Sequence, residues 1–149
     1  MDQPGRNIIL RKARSQDSEF AYNVKKTAFM EYVEQVFGWE ENAQRELHER
    51  RFASQEFRII RYNSVDIGIV AYEVQTDCLK LNQLFLLPEY QERGIGEECM
   101  KHVMRKARML NIPIRLRVLK VNQRANEFYQ RLGFVYASES DIHVMLEKV

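Results

Sequence analysis

The chain has 149 residues, 45% apolar and 30% charged, which is typical of one globular domain spanning 1–149. It contains no run of about 18 apolar residues and no apolar segment behind a basic N-terminus, so a membrane span or a secretory signal is not expected. Two cysteines and three histidines give neither a disulfide framework nor a zinc pattern. We therefore expect a cytoplasmic protein without a metal site.

The formal net charge of +2 does not favour nucleic acid as a partner. A basic segment near the C-terminus lacks the interleaved aromatic residues of a strand-binding surface: Arg115, Arg117, Lys120 and Arg124. We expect no nucleic acid and no membrane as partners. An anionic ligand would need a local site.

The first third of the chain predicts one strand and two helices. Residues 7–11 form a short apolar strand, and Ser15 and Asp17 are suited to begin a helix. A long amphipathic helix ending near Gly38 is predicted by apolar residues at every fourth position: Phe20, Val24, Ala28, Tyr32 and Val36. A second, more charged helix is predicted for 40–52.

From residue 56 the apolar period becomes two, which predicts β-strands. Three strands, with a turn at Asn63 and Ser64 between the first two, form an antiparallel meander that ends at Pro88, which cannot donate to a ladder. The remainder predicts a helix, a strand, a short helix and two strands in turn: 95–110, 112–118, 123–132, 134–136 and 142–146. The order βααβββαβαββ indicates an α/β (α+β) fold, a mixed sheet with helices packed on it.

A glycine-rich loop, QERGIG at 91–96, lies between the meander and the next helix. Glycine permits positive φ and close approach of the backbone to an anion, and a helix N-terminus presents unpaired N–H groups. The loop can therefore hold a phosphate, with Gln91 and Arg93 as added donors. The alternative is a connection that needs glycine only for its turn.

Two common phosphate motifs do not fit this loop. A P-loop needs a lysine that does not follow Gly96. A dinucleotide fingerprint needs a third small residue where Cys99 stands, and a parallel βαβ unit at the start of the chain. The loop binds phosphate in another context, or binds nothing.

Two segments, FLLPEYQERGIG and VLKVNQRANEFYQRLGF, together resemble the GNAT superfamily of acetyl-CoA-dependent N-acetyltransferases. The first carries the family's Q/R-x-x-G-x-G/A loop at Gln91, Gly94 and Gly96. The second carries the pattern N-x-x-A-x-x-x-Y-x-x-x-G-F: Asn122, Ala125, Tyr129, Gly133 and Phe134. Each motif alone is weak, but the pair, separated by a helix and a strand, predicts a GNAT-like acyl-CoA N-acyltransferase fold with a mixed, mostly antiparallel sheet flanked by helices.

The resemblance implies acetyl-CoA as co-substrate, with no metal. Its pyrophosphate would be held by the loop backbone: Gln91, Glu92, Arg93, Gly94, Ile95 and Gly96. The pantetheine arm would lie along the strand at Leu86 and Leu87, in a slot where that strand splays from the strand at 114–119. Asn122 would hydrogen-bond the pantetheine, cap the helix after it, or do both. Arg93 would contact phosphate or be a solvated cation.

The resemblance also implies an acid and a base. Tyr129 would protonate the leaving thiolate as general acid; the alternative is a half-buried aromatic residue whose hydroxyl reaches water. A backbone N–H near Leu86 or Leu87 would polarise the thioester carbonyl. For the general base, Glu73 on the meander is the candidate, with Glu31 and Glu34 as others, and a solvated position is the alternative for each. The strand before the loop has only non-acidic polar residues where a glutamate would serve: Lys80, Asn82 and Gln83.

The acceptor site in this family is flanked by the first two helices and the last strands. Aromatic residues near the helix junction, Tyr32, Phe37 and Trp39, stand among four acids: Glu31, Glu34, Glu40 and Glu41. Such a lining would suit a cationic amine, although Phe37 and Trp39 could instead cap the core. His143 would border this site or be structural.

We therefore expect an acyltransferase that passes the acetyl group of acetyl-CoA to a primary amine, on a small molecule or on a peptide or protein, by direct attack in a ternary complex. The alternative is a non-catalytic acyl-CoA-binding sensor or interaction module on the same fold, against which Asn122 and Tyr129 argue. A homodimer is a further expectation, because C-terminal strands often pair in such proteins.

Overall fold

A computed structural model describes residues 8–149, so Asn7 of the predicted first strand lies outside the described residues. Eleven strands and helices follow one another in the predicted order: β1 (Ile8–Lys12), α1 (Ser18–Val36), α2 (Glu41–Ser54), β2 (Phe57–Tyr62), β3 (Val65–Val74), β4 (Leu79–Leu86), α3 (Ile95–Leu110), β5 (Ile114–Leu119), α4 (Gln123–Arg131), β6 (Val135–Glu139) and β7 (His143–Lys148). Single turns of 3-10 helix at Ser15–Asp17 and Pro88–Tyr90 precede α1 and α3.

Local backbone chemistry sets several of these boundaries. Asn63 and Ser64 both have positive φ, 50° and 67°, as a two-residue hairpin of the primed type requires. Helix α3 begins after Gly94 and ends at Asn111, both left-handed, so its ends agree with those predicted.

The strands form one seven-stranded sheet in the order β1-β2-β3-β4-β5-β7-β6. Every pairing is antiparallel except that of β4 with β5, which confirms a mixed, mostly antiparallel sheet. One face carries α3 through a buried stripe: Ile95, Cys99, Met100, Val103 and Ala107. The other carries α1, whose Ala21 and Val24 pack on Ile59, Ile69 and Ala71. Within residues 8–149, no helix is both long and apolar enough to cross a membrane.

The last two strands are displaced from the predicted ranges. Strand β6 begins after the buried Phe134 and runs to Glu139, and all five of its residues are exposed. An edge strand with both faces in water has no apolar alternation, so the sequence pattern could not mark its extent.

The neighbouring strands β4 and β5 part soon after they meet. They pair only at Leu79 with Ile114 and at Lys80 with Arg115, after which β5 continues alongside β7. On its other side β4 carries a bulge, because Ala71 faces Gln83 while Tyr72 faces Leu81. The extra residue, Asn82, adds twist where the two strands separate, and a slot opens beyond this point.

Gly68 of β3 fixes how closely β4 approaches. A methyl group at this position would lie 2.5 Å from the backbone oxygen of Phe85. We expect Gly68→Ala to lower the free energy of unfolding by about 1–3 kcal/mol through overpacking, measured by denaturant titration. The matched control is Gly38→Ala, whose methyl meets open space at φ 76° and should cost only about 1 kcal/mol of backbone strain. An equal cost at the two positions would contradict this close approach.

Candidate active site

The slot-facing edge of β4 carries backbone groups that the sheet does not use. The Leu87 N–H donates to Ile67 O at 2.9 Å. Because antiparallel bonding alternates along a strand, the N–H and C=O groups of Leu86 and Leu84 point the other way, toward β5. No β5 residue within the described chain pairs with them. An extended ligand in the slot would therefore find free backbone partners along β4.

The loop after β4 forms an anion-binding arrangement at the start of α3. Glu92 and Gly94 have positive φ, 59° and 80°, and Gly94 is the N-cap residue with no side-chain cap. The first-turn N–H groups of the 16-residue helix α3 consequently have no capping acceptor from Gly94. No side chain projects from Gly94, and a Cβ there would meet nothing within 4 Å. The loop thus offers several N–H donors to a phosphate.

The side chains of the loop have other partners. The Gln91 amide donates from Nε2 to Leu86 O at 2.9 Å, which ties the loop to the end of β4. The Arg93 guanidinium lies over the rings of Tyr62 and Tyr90, 5.8 and 5.4 Å from their centroids. The backbone is therefore the better placed part of the loop to bind an anion.

The two sequence motifs meet in the structure. A methyl group added to Gly96 would lie 3.4 Å from the Phe128 ring, so α3 and α4 approach closely there. Glu92 Oε1 lies 3.3 Å from Arg124 Nη2, which joins the loop to the first turn of α4. Asn122 caps α4 by accepting from the Ala125 N–H at 3.1 Å. Capping uses its oxygen and leaves the amide N–H groups for a ligand.

Tyr129 is buried beside this junction. Its ring packs edge-on against Phe128 and Phe134, with centroids 5.0 and 5.5 Å away. Burial raises the pKa of its phenol well above the ordinary value of 10, so Tyr129 keeps its proton at neutral pH. It also belongs to the core cluster on the α3 face of the sheet, together with Leu86.

Glu73 lies on the opposite face of the sheet. Residues 69, 71 and 73 alternate toward α1, whereas Tyr72 packs in the core on the α3 side. The Asn82 amide, at the bulge, donates to Glu73 Oε2 at 2.8 Å. The carboxylate is half-buried and is held beside the point where β4 and β5 part.

The predicted aromatic and acidic cluster at the helix junction is not assembled. Trp39 packs beside Tyr22, which lies ten residues, about 15 Å of helix, before Tyr32. Tyr32 instead contacts Phe29, and Phe37 is 64% exposed, so it does not cap the core. One of the four acids, Glu41, is also ion-paired. Glu41 accepts from the Trp39 indole and pairs with two cations, Lys26 and Arg45.

The other two predicted acceptor residues are placed apart. Glu31 is exposed and lines a shallow depression on the outer side of α1 with Lys26 and Glu34. His143 is half-buried on β7 opposite Leu119, and burial, with the nearby charge of Arg117, lowers the pKa of its imidazole. Of the four residues predicted for the acceptor site, Glu31, Tyr32, Trp39 and His143, only His143 lies on a strand next to β5.

Two buried polar residues to which the sequence assigned no binding role lie on the α1 side of the sheet. Lys25 is 4% exposed and belongs to the face of α1 that packs on the sheet. Gln83 is 6% exposed and occupies an apolar position of β4. The sequence could have indicated both residues, because one is a lysine on the apolar face of a helix and the other is a glutamine at an apolar position of a strand. Among the described residues, no cluster of three or more His, Cys, Asp or Glu side chains could hold a metal.

The sequence profile of the Acetyltransferase (GNAT) family matches residues 19–134. The chain therefore belongs to the GNAT family of acetyltransferases. It is also 28% identical over 89 residues to the amino-acid acetyltransferases of two strains of Neisseria meningitidis, serogroups A and B. That match covers 58% of this chain and 20% of each relative, so the chain spans about a fifth of their length.

Solved structures share the fold across almost the whole chain. The PaiA N-acetyltransferase of Thermoplasma acidophilum, in complex with coenzyme A, matches with a TM-score of 0.78 and 19% identity over 95% of this chain and 98% of its own. A GNAT family acetyltransferase of Elizabethkingia anophelis with acetyl-CoA bound matches with a TM-score of 0.71 and 15% identity, covering 95% and 97%. At these identities the likeness concerns the fold.

The two roles of Asn122 can be separated by substitution. Asn122→Ala removes the cap oxygen and should lower the free energy of unfolding by about 1 kcal/mol, whereas Asn122→Asp keeps an oxygen and should leave stability nearly unchanged. Both changes remove the amide N–H groups, so both should weaken acetyl-CoA binding. Denaturant titration and calorimetry measure the two quantities. Unchanged affinity in Asn122→Asp would limit Asn122 to capping.

Proposed function

We propose that the protein transfers the acetyl group of acetyl-CoA to a primary amine by direct attack in a ternary complex. The observation that carries the proposal is the parting of β4 and β5 beyond Lys80 and Arg115, directly before a phosphate-binding loop. The proposed site draws on residues from β3 to α4, which fits one acetyltransferase domain. Family membership and two structural relatives that hold coenzyme A or acetyl-CoA support the same activity.

The residues around the slot fit coenzyme A. The N–H groups of 92–96 suit its pyrophosphate, because the loop presents backbone donors and the positive end of the α3 dipole, whereas the Gln91 N–H already donates to Pro88 O at 3.1 Å. The Leu86 C=O accepts from Gln91, so the groups left free are the N–H and C=O of Leu84 and the N–H of Leu86. They suit the amides and the thioester of the acetyl-pantetheine arm, which can extend β4 as an added strand would. The Asn122 amide can donate to the same arm. Leu84 thereby joins the cofactor-binding residues expected from the sequence.

Acetyl-CoA supplies an acetyl group activated as a thioester. The acceptor nitrogen, once deprotonated, forms a bond to the thioester carbon while the carbon–sulfur bond breaks. The Leu86 N–H faces the slot and is suited to donate to the carbonyl oxygen as charge develops. Leu87 is less suited, because its N–H already donates to Ile67.

Two proton transfers complete the reaction. Glu73, on the α1 face, takes a proton from the acceptor ammonium, and Tyr129, on the α3 face, gives one to the departing thiolate. The nitrogen releases a second proton to solvent as the amide forms; solvent reprotonates Tyr129, and Glu73 releases its proton to solvent. A base on one face of the sheet and an acid on the other suit a reaction whose two proton transfers involve different atoms, the acceptor nitrogen and the departing sulfur.

The loop proposal is tested by Gly94→Val. A β-branched residue at φ 80° should distort the loop and lower acetyl-CoA affinity at least roughly 100-fold, since several charge-assisted hydrogen bonds are lost. Gly38→Val is the matched control, because Gly38 also has positive φ, 76°, and open space around it. Calorimetry measures both affinities on protein whose fold is verified by circular dichroism. Wild-type affinity in Gly94→Val would reject the loop as the phosphate site.

The role of Tyr129 is tested by Tyr129→Phe. Turnover should fall about 10- to 100-fold with little change in acetyl-CoA affinity, because a thiol is already a fair leaving group. The raised pKa also predicts that the wild-type rate shows no loss from Tyr129 ionisation up to about pH 10. Steady-state kinetics across pH check both statements. Equal turnover of the two proteins would remove Tyr129 as the acid.

A further inference from the structure

The interior of the α1 face holds a lysine without a compensating charge. Lys25 is 4% exposed, and among the described residues no carboxylate forms an ion pair with it. Burial and, to a lesser extent, the nearby charge of Arg51 lower the pKa of its ammonium to about 8. A buried cation is normally paired, because desolvating an unpaired charge is costly. Its position therefore calls for an anion that the described residues do not supply.

Two arginines extend this positive region toward the slot. Arg51, on the last turn of α2, is half-buried, and burial together with the charges of Arg117 and Arg50 lowers the pKa of its guanidinium. Arg117 lies on β5, the strand that borders the slot. Its neighbours Leu116 and Val118 pack in the core on the α3 side, so Arg117 points to the α1 side. Lys25, Arg51 and Arg117 are below called the cationic cluster.

Neighbouring acids are already engaged elsewhere. On β5, Arg115 is paired with Glu147 and Asp77, whereas no described carboxylate lies within ion-pair distance of Arg117. Glu73, the acid at the bulge, accepts from Asn82. Because the Asn82 amide is neutral, Glu73 retains its charge, but the three cations of the cluster outnumber this one carboxylate on the α1 side of the sheet.

A second buried group on this face also lacks a partner. Gln83 is 6% exposed, and its Oε1 is buried without a hydrogen bond from any described residue. Residues 83, 85 and 87 alternate toward α1, where Phe85 contacts Phe29, one turn after Lys25. An unsatisfied buried oxygen costs about 1–3 kcal/mol unless a donor reaches it. An amine N–H is such a donor.

We infer that the acceptor is an amine that carries a carboxylate, such as a free amino acid, with its carboxylate in the cationic cluster and its nitrogen beside Gln83. This inference rests on the proposed acetyl transfer and deepens it by naming the substrate class. The cationic cluster repels a polyamine, so it selects against that class as well as for an anion. At the helix junction that favoured a cationic acceptor, Glu41 is paired with Lys26 and Arg45 and is not free for such a substrate.

The substrate class is tested with matched amines that differ only in the carboxylate. Each of several amino acids is compared with its amide and with its decarboxylated amine, and spermidine is included. We expect kcat/KM to be at least roughly 10- to 100-fold higher for the carboxylate form, the worth of a charged hydrogen bond. Equal or higher values for the amides, or spermidine as the best acceptor, would overturn the inference while leaving acetyl transfer in place.

Variants tie that preference to the cationic cluster. Lys25→Met keeps the apolar stem and should raise KM for the carboxylate form about 10- to 100-fold, with acetyl-CoA affinity unchanged. Arg51→Met is a second variant with the same expectation. Arg105→Gln, an exposed cation on α3, is the charge-matched control and should change neither constant. An unchanged KM in Lys25→Met and Arg51→Met would contradict the assignment.

Thermal unfolding tests binding of the acceptor carboxylate separately from acetyl transfer. In the presence of coenzyme A, the carboxylate form should raise the wild-type Tm more than its amide does, and the difference should disappear in Lys25→Met. Without ligand, Lys25→Met should be more stable than wild type, because an uncompensated buried charge is removed. Acetyl-CoA binding without a carboxylate-dependent shift would overturn the inference alone. Failure to bind acetyl-CoA would reject the proposed function, whereas the unliganded stability comparison tests the buried charge independently.

Discussion

Strands β4 and β5 share two paired positions and then separate, and the rest of the site depends on that separation. A bulge at Asn82 twists β4 on one side, while β7 pairs with β5 along its length on the other. The backbone groups of Leu84 and Leu86 are consequently left facing a slot. Unpaired backbone N–H and C=O groups cost free energy when they are buried away from water. This edge is therefore suited to a ligand whose own amides can form hydrogen bonds with it.

The slot also divides the molecule chemically. Its α3 face holds Tyr129, whose burial keeps the phenol protonated, and the glycine loop that precedes α3. Its α1 face holds Glu73 and the cationic cluster. In the proposed mechanism, backbone N–H groups bind the donor and side-chain charge binds the acceptor, so the two ligands use different elements of the fold.

The sequence predicted the elements well because their signals are local. Gly94 and Asn111 mark the ends of α3, and Asn63 with Ser64 marks the hairpin. The acceptor side was harder to predict because it depends on where the chain turns between α1 and α2. There Trp39 folds back to Tyr22 instead of joining Tyr32, which no periodicity reveals. The position of Lys25 on the apolar face of α1 can be read from the sequence, but its lack of an ion-pair partner depends on tertiary packing and could not be predicted.

If the slot and the loop together hold acetyl-CoA, the ligand protects their backbone amides, and amide hydrogen exchange measures that protection. Saturating acetyl-CoA should slow exchange at the Leu84 and Leu86 N–H groups and at the amides of 92–96, where the slot and the loop meet. The Gln75 amide, which donates to Cys78 O in the turn at the opposite end of β4 from the loop, should exchange at an unchanged rate. The predicted result is slowed exchange at Leu84, at Leu86 and in the loop, but not at Gln75. Unchanged exchange at the β4 edge and in the loop, with acetyl-CoA in excess, would show that acetyl-CoA is not held there.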